Sequence, residues 1–396
     1  MNPNKLHRAR TLVLLAIAAG SLLAAGCRRC MLVPWALEVD PTLTGNSDAD
    51  GVLEPFETVD VEPTWQHQVT EQTCGPSKGC KPINNPQPGD FDCTHGYTET
   101  GEPVSFTGPP NGDYSFQDSA SPYNPTGHGS YAVYVGASTR PAVHWDATFT
   151  EDLSGAGVTL SGTSSPYSYT KAWTLHVGDS FWDVPRSSPF YKKVETLLHH
   201  GITNGCAPGA FCPDGILARS EIAVFLARGL AKGGGNIPSS GKVGNMPYSC
   251  TPGGVSLFLD VAPTDSFCKH VHYLAAQQVM TACRAFFDCP ANVVTRAEMA
   301  QDVARAMVAP GGDVAVPKTY TDKASGRSYS CDAASPNLYF TDVLPTDSDC
   351  KHVHYLWARG VIAGCQAEEF CGGGDVTRGE MAKFLVNALD LKLYGP

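Results

Sequence analysis

The sequence predicts an α + β multidomain protein: an N-terminal antiparallel β-sandwich followed by a mainly α-helical module of three stacked copies of one unit. An opening recurs as FWDV (181–184), FLDV (258–261) and FTDV (340–343), and a closing as LARSE (217–221), VTRAE (294–298) and VTRGE (376–380). The Asp of each opening and the Arg of each closing are 36 residues apart, from 183 to 219, 260 to 296 and 342 to 378. A repeat that cannot bury its own apolar face must stack on its neighbours. Ahead of the copies, residues 38–176 are rich in Gly, Pro, Ser, Thr and aromatics and poor in charge, with short strand-like runs between turns.

At the start of the chain, Lys5, Arg8 and Arg10 precede an apolar run over 11–25. The run is too short to span a bilayer comfortably and reads as a signal peptide over 1–26. It ends in LLAAGC, which resembles a bacterial lipoprotein signal with Cys27 as the lipidated residue. Ordinary signal cleavage, leaving a free Cys, is the alternative. Residues 27–37 read as a linker. No later segment is apolar and long enough to cross a membrane, so the body is expected to be secreted or held at a membrane by its lipid.

Residues 38–176 read as an immunoglobulin-like β-sandwich, with strands expected at 57–65, 130–136, 142–149 and 168–177. The segment NSDADGVLEPFE (46–57) opens it. Asn46, Asp48, Asp50, Gly51, Val52 through its carbonyl, and Glu57 occupy positions 1, 3, 5, 6, 7 and 12 of an EF-hand loop. A strand rather than a helix follows, so the segment resembles the calcium-stabilised opening turn of bacterial surface sandwiches. A Ca²⁺ there would clamp the entry loop to the sheet, and the alternative is an Asx-rich turn without metal.

The three copies fall at 177–230, 256–308 and 338–396, with Gly/Pro/Ser-rich connectors over 231–255 and 309–337. Each reads as helix, loop, helix. The first helices carry Val194, Leu197, Leu198 and Ile202, then Val271, Leu274, Ala275 and Val279, then Val353, Leu356, Trp357 and Val361, all at helical spacing. Met299, Val303 and Met307 form the stripe of the second helix in copy two. Thr295 with Glu298, and Thr377 with Glu380, form capping boxes. In copy one Ala218 replaces the hydroxyl, a loss of about 1 kcal/mol. Arg219, Arg296 and Arg378 then fall in the first helical turn, where the dipole disfavours a cation. Two readings stand: an anion site at a helix N-terminus, or a structural salt bridge to Asp183, Asp260 or Asp342.

The F-x-D-V opening, the middle Gly201 and Gly360, and the T-R-A-E closing resemble S-layer homology repeats, over about 220 residues. The resemblance implies a pseudo-threefold assembly around a central helical bundle. It also implies grooves between copies that bind a cell-envelope polysaccharide, often pyruvylated, or peptidoglycan. It places ligand contacts at Arg219, Arg296, Arg378, Asp183, Asp260 and Asp342. The chain departs from the family in its loops, GCAPGAFCPDG (205–215), ACRAFFDCPAN (282–292) and GCQAEEFCGGG (364–374), and in Gln278, which stands where the other copies have Gly.

The chain has 15 Cys. Cys206 and Cys212, Cys283 and Cys289, and Cys365 and Cys371 recur six apart, and Cys250 with Cys268 and Cys331 with Cys350 recur in copies two and three. Copy one has Tyr191 at the second position of the latter pair and lacks the preceding insertion. Partners that come and go together indicate disulfides, and disulfides indicate an oxidising compartment. A metal is the rival, but C-x5-C supplies only two ligands per copy. With Cys27 lipidated, Cys30, Cys74, Cys80 and Cys93 remain for two further bridges of open pairing.

GDSF (178–181) lacks a partnered His motif and reads as coincidence. The two KHVH segments place His270 and His272, and His352 and His354, two apart on a helix, where they cannot chelate together and read as surface residues. A formal charge of −11 argues against nucleic acid. The leading expectation is a non-enzymatic surface protein whose repeats dock on envelope polysaccharide or peptidoglycan while the sandwich is displayed. The other is a lipid-anchored adhesin whose sandwich binds a glycan or protein and whose repeats are scaffold.

Overall fold

The computed structural model describes residues 28–71, 103–107, 114–120, 126–135, 144–152 and 170–395. The proposed signal peptide, Cys27, Cys74, Cys80 and Cys93 lie outside the described residues. The fold is α + β, with small antiparallel sheets and seven helices among those residues.

Seven strands come first: β1 (Arg28–Val39), β2 (Thr58–Glu71), β3 (Pro103–Thr107), β4 (Tyr114–Ala120), β5 (Thr126–Val135), β6 (Asp146–Asp152) and β7 (Thr170–His176). They form a four-stranded sheet in the order β1-β2-β5-β4 and a three-stranded sheet in the order β3-β6-β7. The expected linker over 27–37 is corrected. Residues Arg28–Val39 pair with β2, with a register shift at Pro34–Ala36, and the almost wholly apolar run CMLVPWALEV suits a strand of the sheet. Alternation works as the sequence suggests. Val59, Val61, Tyr131 and Val133 of one sheet and Ala147, Phe149, Trp173 and Leu175 of the other are buried, and the Tyr131 and Phe149 rings lie 5.0 Å apart across them.

The copies follow. Copy one holds α1 (Tyr191–His199) and α2 (Arg219–Leu230). The first connector carries the hairpin β8 (Ser240–Val243) and β9 (Met246–Ser249), and copy two holds α3 (Cys268–Ala276) and α4 (Arg296–Met307). The second connector carries the short helix α5 (Gly312–Ala315) and the hairpin β10 (Thr319–Thr321) and β11 (Ser328–Ser330), and copy three holds α6 (Cys350–Ala358) and α7 (Arg378–Ala388). Five disulfides join the pairs read from the sequence: Cys206–Cys212, Cys250–Cys268, Cys283–Cys289, Cys331–Cys350 and Cys365–Cys371. The two longer ones tie each connector hairpin to the start of the following helix.

Each first helix ends by turning through a left-handed residue: Gly201 at φ +64°, Gln278 at φ +58° and Gly360 at φ +71°. In each copy the residue after it returns an N–H to the helix, Ile202 to Leu197, Val279 to Leu274 and Val361 to Leu356. Gln278 therefore takes a conformation that costs an L-residue about 1 kcal/mol.

The core runs without a break from the strands into the helices. At the junction the Tyr394 hydroxyl accepts the Leu53 N–H at 3.0 Å and donates to the His176 carbonyl at 2.8 Å, while Tyr191 donates to Glu54 at 2.7 Å. Burial holds the Glu54 carboxyl well above the usual range, which keeps it from standing as a buried charge. Tyr394→Phe keeps the ring and removes both bonds, leaving a buried donor and acceptor unpaired. Chemical denaturation is expected to show a loss of about 1–3 kcal/mol.

Candidate functional site

The second helix of each copy starts against the loop of the next. Three backbone hydrogen bonds close a ring: Leu217 N–H to the Val376 carbonyl (3.0 Å), Val376 N–H to Val294 (3.2 Å) and Val294 N–H to Leu217 (3.1 Å). The first two helical N–H groups are also taken by the next copy. Arg219 and Ser220 donate to Asn292 and Pro290, Arg296 and Ala297 to Gly374 and Gly372, and Arg378 and Gly379 to Gly215 and Pro213. Groups that a helix start leaves orphaned are thereby satisfied across the copies.

The Arg side chains follow the same cycle. Arg219 Nε donates to the Asp288 carbonyl (2.8 Å), Arg296 Nε to Phe370 (3.0 Å) and Arg378 Nε to Phe211 (2.8 Å). All three are buried. The Asp of the opening holds the other side of the same peptide. Asp183 accepts the N–H groups of Phe211 and Cys212, Asp260 those of Asp288 and Cys289, and Asp342 those of Phe370 and Cys371, at 2.7–2.9 Å. The structure thus brings the six candidate residues together in three pairs, each clamping one loop peptide. These bonds occupy the three Nε–H groups and both oxygens of each Asp within the repeat module. The expected Arg–Asp salt bridge is replaced. Arg296 pairs with Glu380 (3.3 Å) and Arg378 with Glu221 (3.2 Å), the capping-box glutamates of the next copy. Those glutamates keep their second oxygen on the N-cap N–H, Thr377 and Ala218 respectively, so copy one retains half of its capping box.

One interface differs. The Arg296 guanidinium lies between Phe370 (5.0 Å) and Phe384 (5.8 Å), and that of Arg378 between Phe211 (5.0 Å) and Phe225 (5.1 Å). The equivalent positions in copy two are Asp288 and Asp302. Asp288 lies 3.7 Å from Arg219, and Asp302 is buried beside Arg305 (3.5 Å). Burial pushes the Asp302 carboxyl up to about 7, against the pull of Arg219 and Arg305.

Between the copies are grooves. That between copies one and two encloses about 510 Å³, lined by Asn204, Ser220, Glu221, Arg228, His270 and Arg378 among others. His270 is buried, and neither ring nitrogen makes a well-formed hydrogen bond, with the Ser266 carbonyl one turn back only a weak partner. Arg228 Nε is likewise unpartnered. In the groove between copies two and three the equivalents of Arg228, Lys269 and His270 are Arg305, Lys351 and His352. All three meet one carboxylate, Asp313 of α5, at 3.2, 2.7 and 2.7 Å. Among the described residues, no carboxylate pairs with Arg228, Lys269 or His270.

The KHVH histidines are not surface residues. His270, His272, His352 and His354 are all buried. His272 and His354 hold their Nδ1 against the Cys268 and Cys350 carbonyls at 2.9 Å and their Nε2 toward the N–H groups of Leu257 and Phe340. Burial lowers all four, His270 and His352 to about 4. Ser180 of GDSF is buried and donates to the Glu195 carboxylate rather than to a histidine.

In the 46–57 loop, oxygens of Asp48 and Asp50 lie within 4.8 Å of each other and of Asp40, which the EF-hand spacing does not include. Glu57 accepts the Asp48 N–H at 2.9 Å, and Val52 N–H is bound by Asp50. Asp50 Oδ2 is buried without a hydrogen-bond partner, and Glu57 Oε2 is buried 4.0 Å from the Arg186 guanidinium. Asn46 donates to the Phe56 carbonyl and accepts the Thr58 N–H. The converging oxygens of Asp40, Asp48 and Asp50, with Glu57 bonded to the Asp48 N–H beside them, suit a hard cation. Burial and the neighbouring Asp48 push Asp50 up to about 7.

No protein-family model matches the chain, and no curated protein matches it.

The Asp288–Arg219–Asp302 cluster generates a test. Asp288→Phe with Asp302→Phe copies the other two interfaces into copy two, and exchanging a buried ionic cluster for packed rings is expected to be neutral or stabilising by about 1–4 kcal/mol at pH 7. A carboxyl raised to about 7 in the folded state contributes stability that is present below pH 4 and lost as pH rises through 7. The advantage of the double variant in denaturant midpoint should therefore grow from pH 4 to pH 7.

Proposed function

We propose that the protein is a non-enzymatic bacterial cell-surface protein. In this reading its C-terminal copies form an S-layer homology-type trimodule that anchors to an anionic envelope polysaccharide or to peptidoglycan, while an N-terminal β-sandwich is displayed. The observation that carries it is the inequality of two grooves. Asp313 gathers Arg305, Lys351 and His352 around its own carboxylate, and the same three residue types at Arg228, Lys269 and His270 have no such partner. A carboxylate on an external polymer, such as a pyruvyl ketal, supplies the missing group in the first groove. Local cations within a Debye length of about 8 Å offset the negative charge of the whole chain there. The five disulfides support an oxidising, extracytoplasmic location. Among the described residues no helix is long and apolar enough to cross a membrane, so a membrane attachment in this reading rests on lipid at Cys27.

The test is co-sedimentation of the oxidised protein with purified cell-wall material. Arg228→Gln with His270→Gln, which largely keeps side-chain volume, is expected to weaken pelleting about tenfold while the protein remains folded by Tm. Unchanged pelleting would move the site elsewhere. The commitment of Arg219, Arg296 and Arg378 to the ring favours a second reading, in which the copies are scaffold and the β-sheets of a lipid-anchored adhesin bind a glycan or protein. Pelleting lost only on removal of the strand region supports that reading.

We also propose that Asp40, Asp48, Asp50 and Glu57 hold Ca²⁺. Without the ion, the raised Asp50 carboxyl costs stability as pH climbs from about 4 to 7. Added Ca²⁺ should raise Tm, more at pH 7.5 than at pH 5, and Asp50→Asn should remove most of the rise. No Ca²⁺ effect at either pH leaves an Asx-rich turn.

A further inference from the structure

His144, just before β6, Asp146 at its start, His176 at the end of β7 and His199 at the end of α1 meet at one point. One ligand atom from each, Nε2 of His144, Oδ1 of Asp146, Nδ1 of His176 and Nδ1 of His199, lies within 4.8 Å of the others. Asp146 and His176 are cross-strand partners, so the sheet register itself places two of the four. The three imidazoles surround the point with centroids 5.1–5.4 Å apart and planes inclined by 52–72°.

Hydrogen bonding among these groups alone does not balance. A single oxygen, Asp146 Oδ1, is approached by His144 Nε2 at 2.6 Å, His199 Nδ1 at 3.1 Å and His176 Nδ1 at 3.3 Å. A carboxylate oxygen has two lone-pair directions for those three nitrogens. His176 is wholly buried, and its Nδ1 makes no hydrogen bond of good geometry. Its other nitrogen lies 2.6 Å from Glu195 Oε2, a carboxylate also held by the Ser180 N–H and hydroxyl. When the ring is neutral and donates Nε2–H to Glu195, its Nδ1 lone pair faces the point where the other three groups meet. A carboxylate behind a histidine, fixing the tautomer and aiming the free nitrogen, is the outer-shell arrangement of metal-bound histidines.

We propose that His144, Asp146, His176 and His199 form a binding site for a divalent transition-metal ion, with Zn²⁺ the ion the donors fit best. Around a tetrahedral zinc with bonds of about 2.0–2.1 Å, ligand atoms stand roughly 3.3 Å apart, the scale of the separations from Asp146. Three imidazoles and one carboxylate suit zinc and exclude Ca²⁺ and Mg²⁺, which take oxygen. Four protein ligands leave no open position, so the site is structural. It joins the β6–β7 sheet to the first helix of copy one. His144, Asp146 and His199 are partly exposed, which gives the ion a way in.

The test uses the full-length oxidised protein, stripped with a chelator and returned to buffer free of transition metals and containing 1 mM Ca²⁺ for the 46–57 loop. Titration with Zn²⁺ by calorimetry, and with Co²⁺ by visible absorption, is expected to give one equivalent and the intense bands of tetrahedral cobalt. His144→Ala and His199→Ala, at partly exposed positions, should each weaken Zn²⁺ binding by about 100-fold or more while the apo protein keeps its Tm. His200→Ala, outside the ligand set, should bind as wild type does. No zinc-dependent heat and no tetrahedral cobalt spectrum in the folded protein overturns the site, as does zinc binding that survives His144→Ala combined with His199→Ala.

Discussion

The orphaned amides at the starts of α2, α4 and α7 govern the repeat half of this protein. A helix begins with N–H groups that have no partner of their own, and here the next copy's loop supplies the carbonyls. The same loop peptide is held by an Arg from one copy and an Asp from its own, so a copy lacks half of its clamp until its neighbour is in place. Three clamps and three central hydrogen bonds close a cycle in which the last copy returns to the first. Arg in the first turn, unfavourable against the dipole of an isolated helix, becomes favourable because its guanidinium serves the neighbour.

A closed frame of this kind leaves the copies free to diverge where the frame does not need them. Copy two exchanges two rings for two carboxylates about Arg219 and still presents the loop carbonyl. The second connector inserts Asp313 into a groove whose counterpart is open, and copy one lacks the connector hairpin and its disulfide. Similar grooves therefore carry different charges on one backbone plan, which is how a repeat protein can keep its fold while fitting one groove to a ligand and closing another.

Much of the local structure was legible in the sequence. The apolar stripes, capping boxes, disulfide pairs and several strands depend on short-range patterns, and each formed where the pattern stood. What the sequence concealed depends on residues distant in the chain. The KHVH histidines look like surface residues on a nine-residue helix, yet connector hairpins cover His272 and His354 while His270 and His352 lie in the grooves between copies, and nothing in the connector composition announces a hairpin. Asp40 lies outside the loop spacing and joins Asp50 only because β1 ends beside it. The ring partners of Arg219, Arg296 and Arg378 follow from the threefold closure, which 36-residue spacing suggests without saying which copy each Arg serves. The His cluster had a faint signal in His144-x-Asp146 and in the adjacent His199 and His200.

The junction between the strands and the ring connects these features mechanically. Val177 and Leu53 pair as a short parallel bridge, Tyr394 from the chain's end locks both segments, and Glu195 on α1 reaches His176 at the end of β7. Leu53 lies within the acidic 46–57 loop and His176 within the His cluster, and both abut copy one through the same few side chains. An ion at either position acts on elements already joined by buried hydrogen bonds, so its binding energy appears as resistance to separating the sheets from the ring rather than as stability of the sheets alone. Copy one, which has neither the connector hairpin nor its disulfide, is also the copy that follows directly from β7 and meets the strands through Tyr191 and Glu195. The junction thus takes the place, for that copy, of the covalent tie that the other two possess.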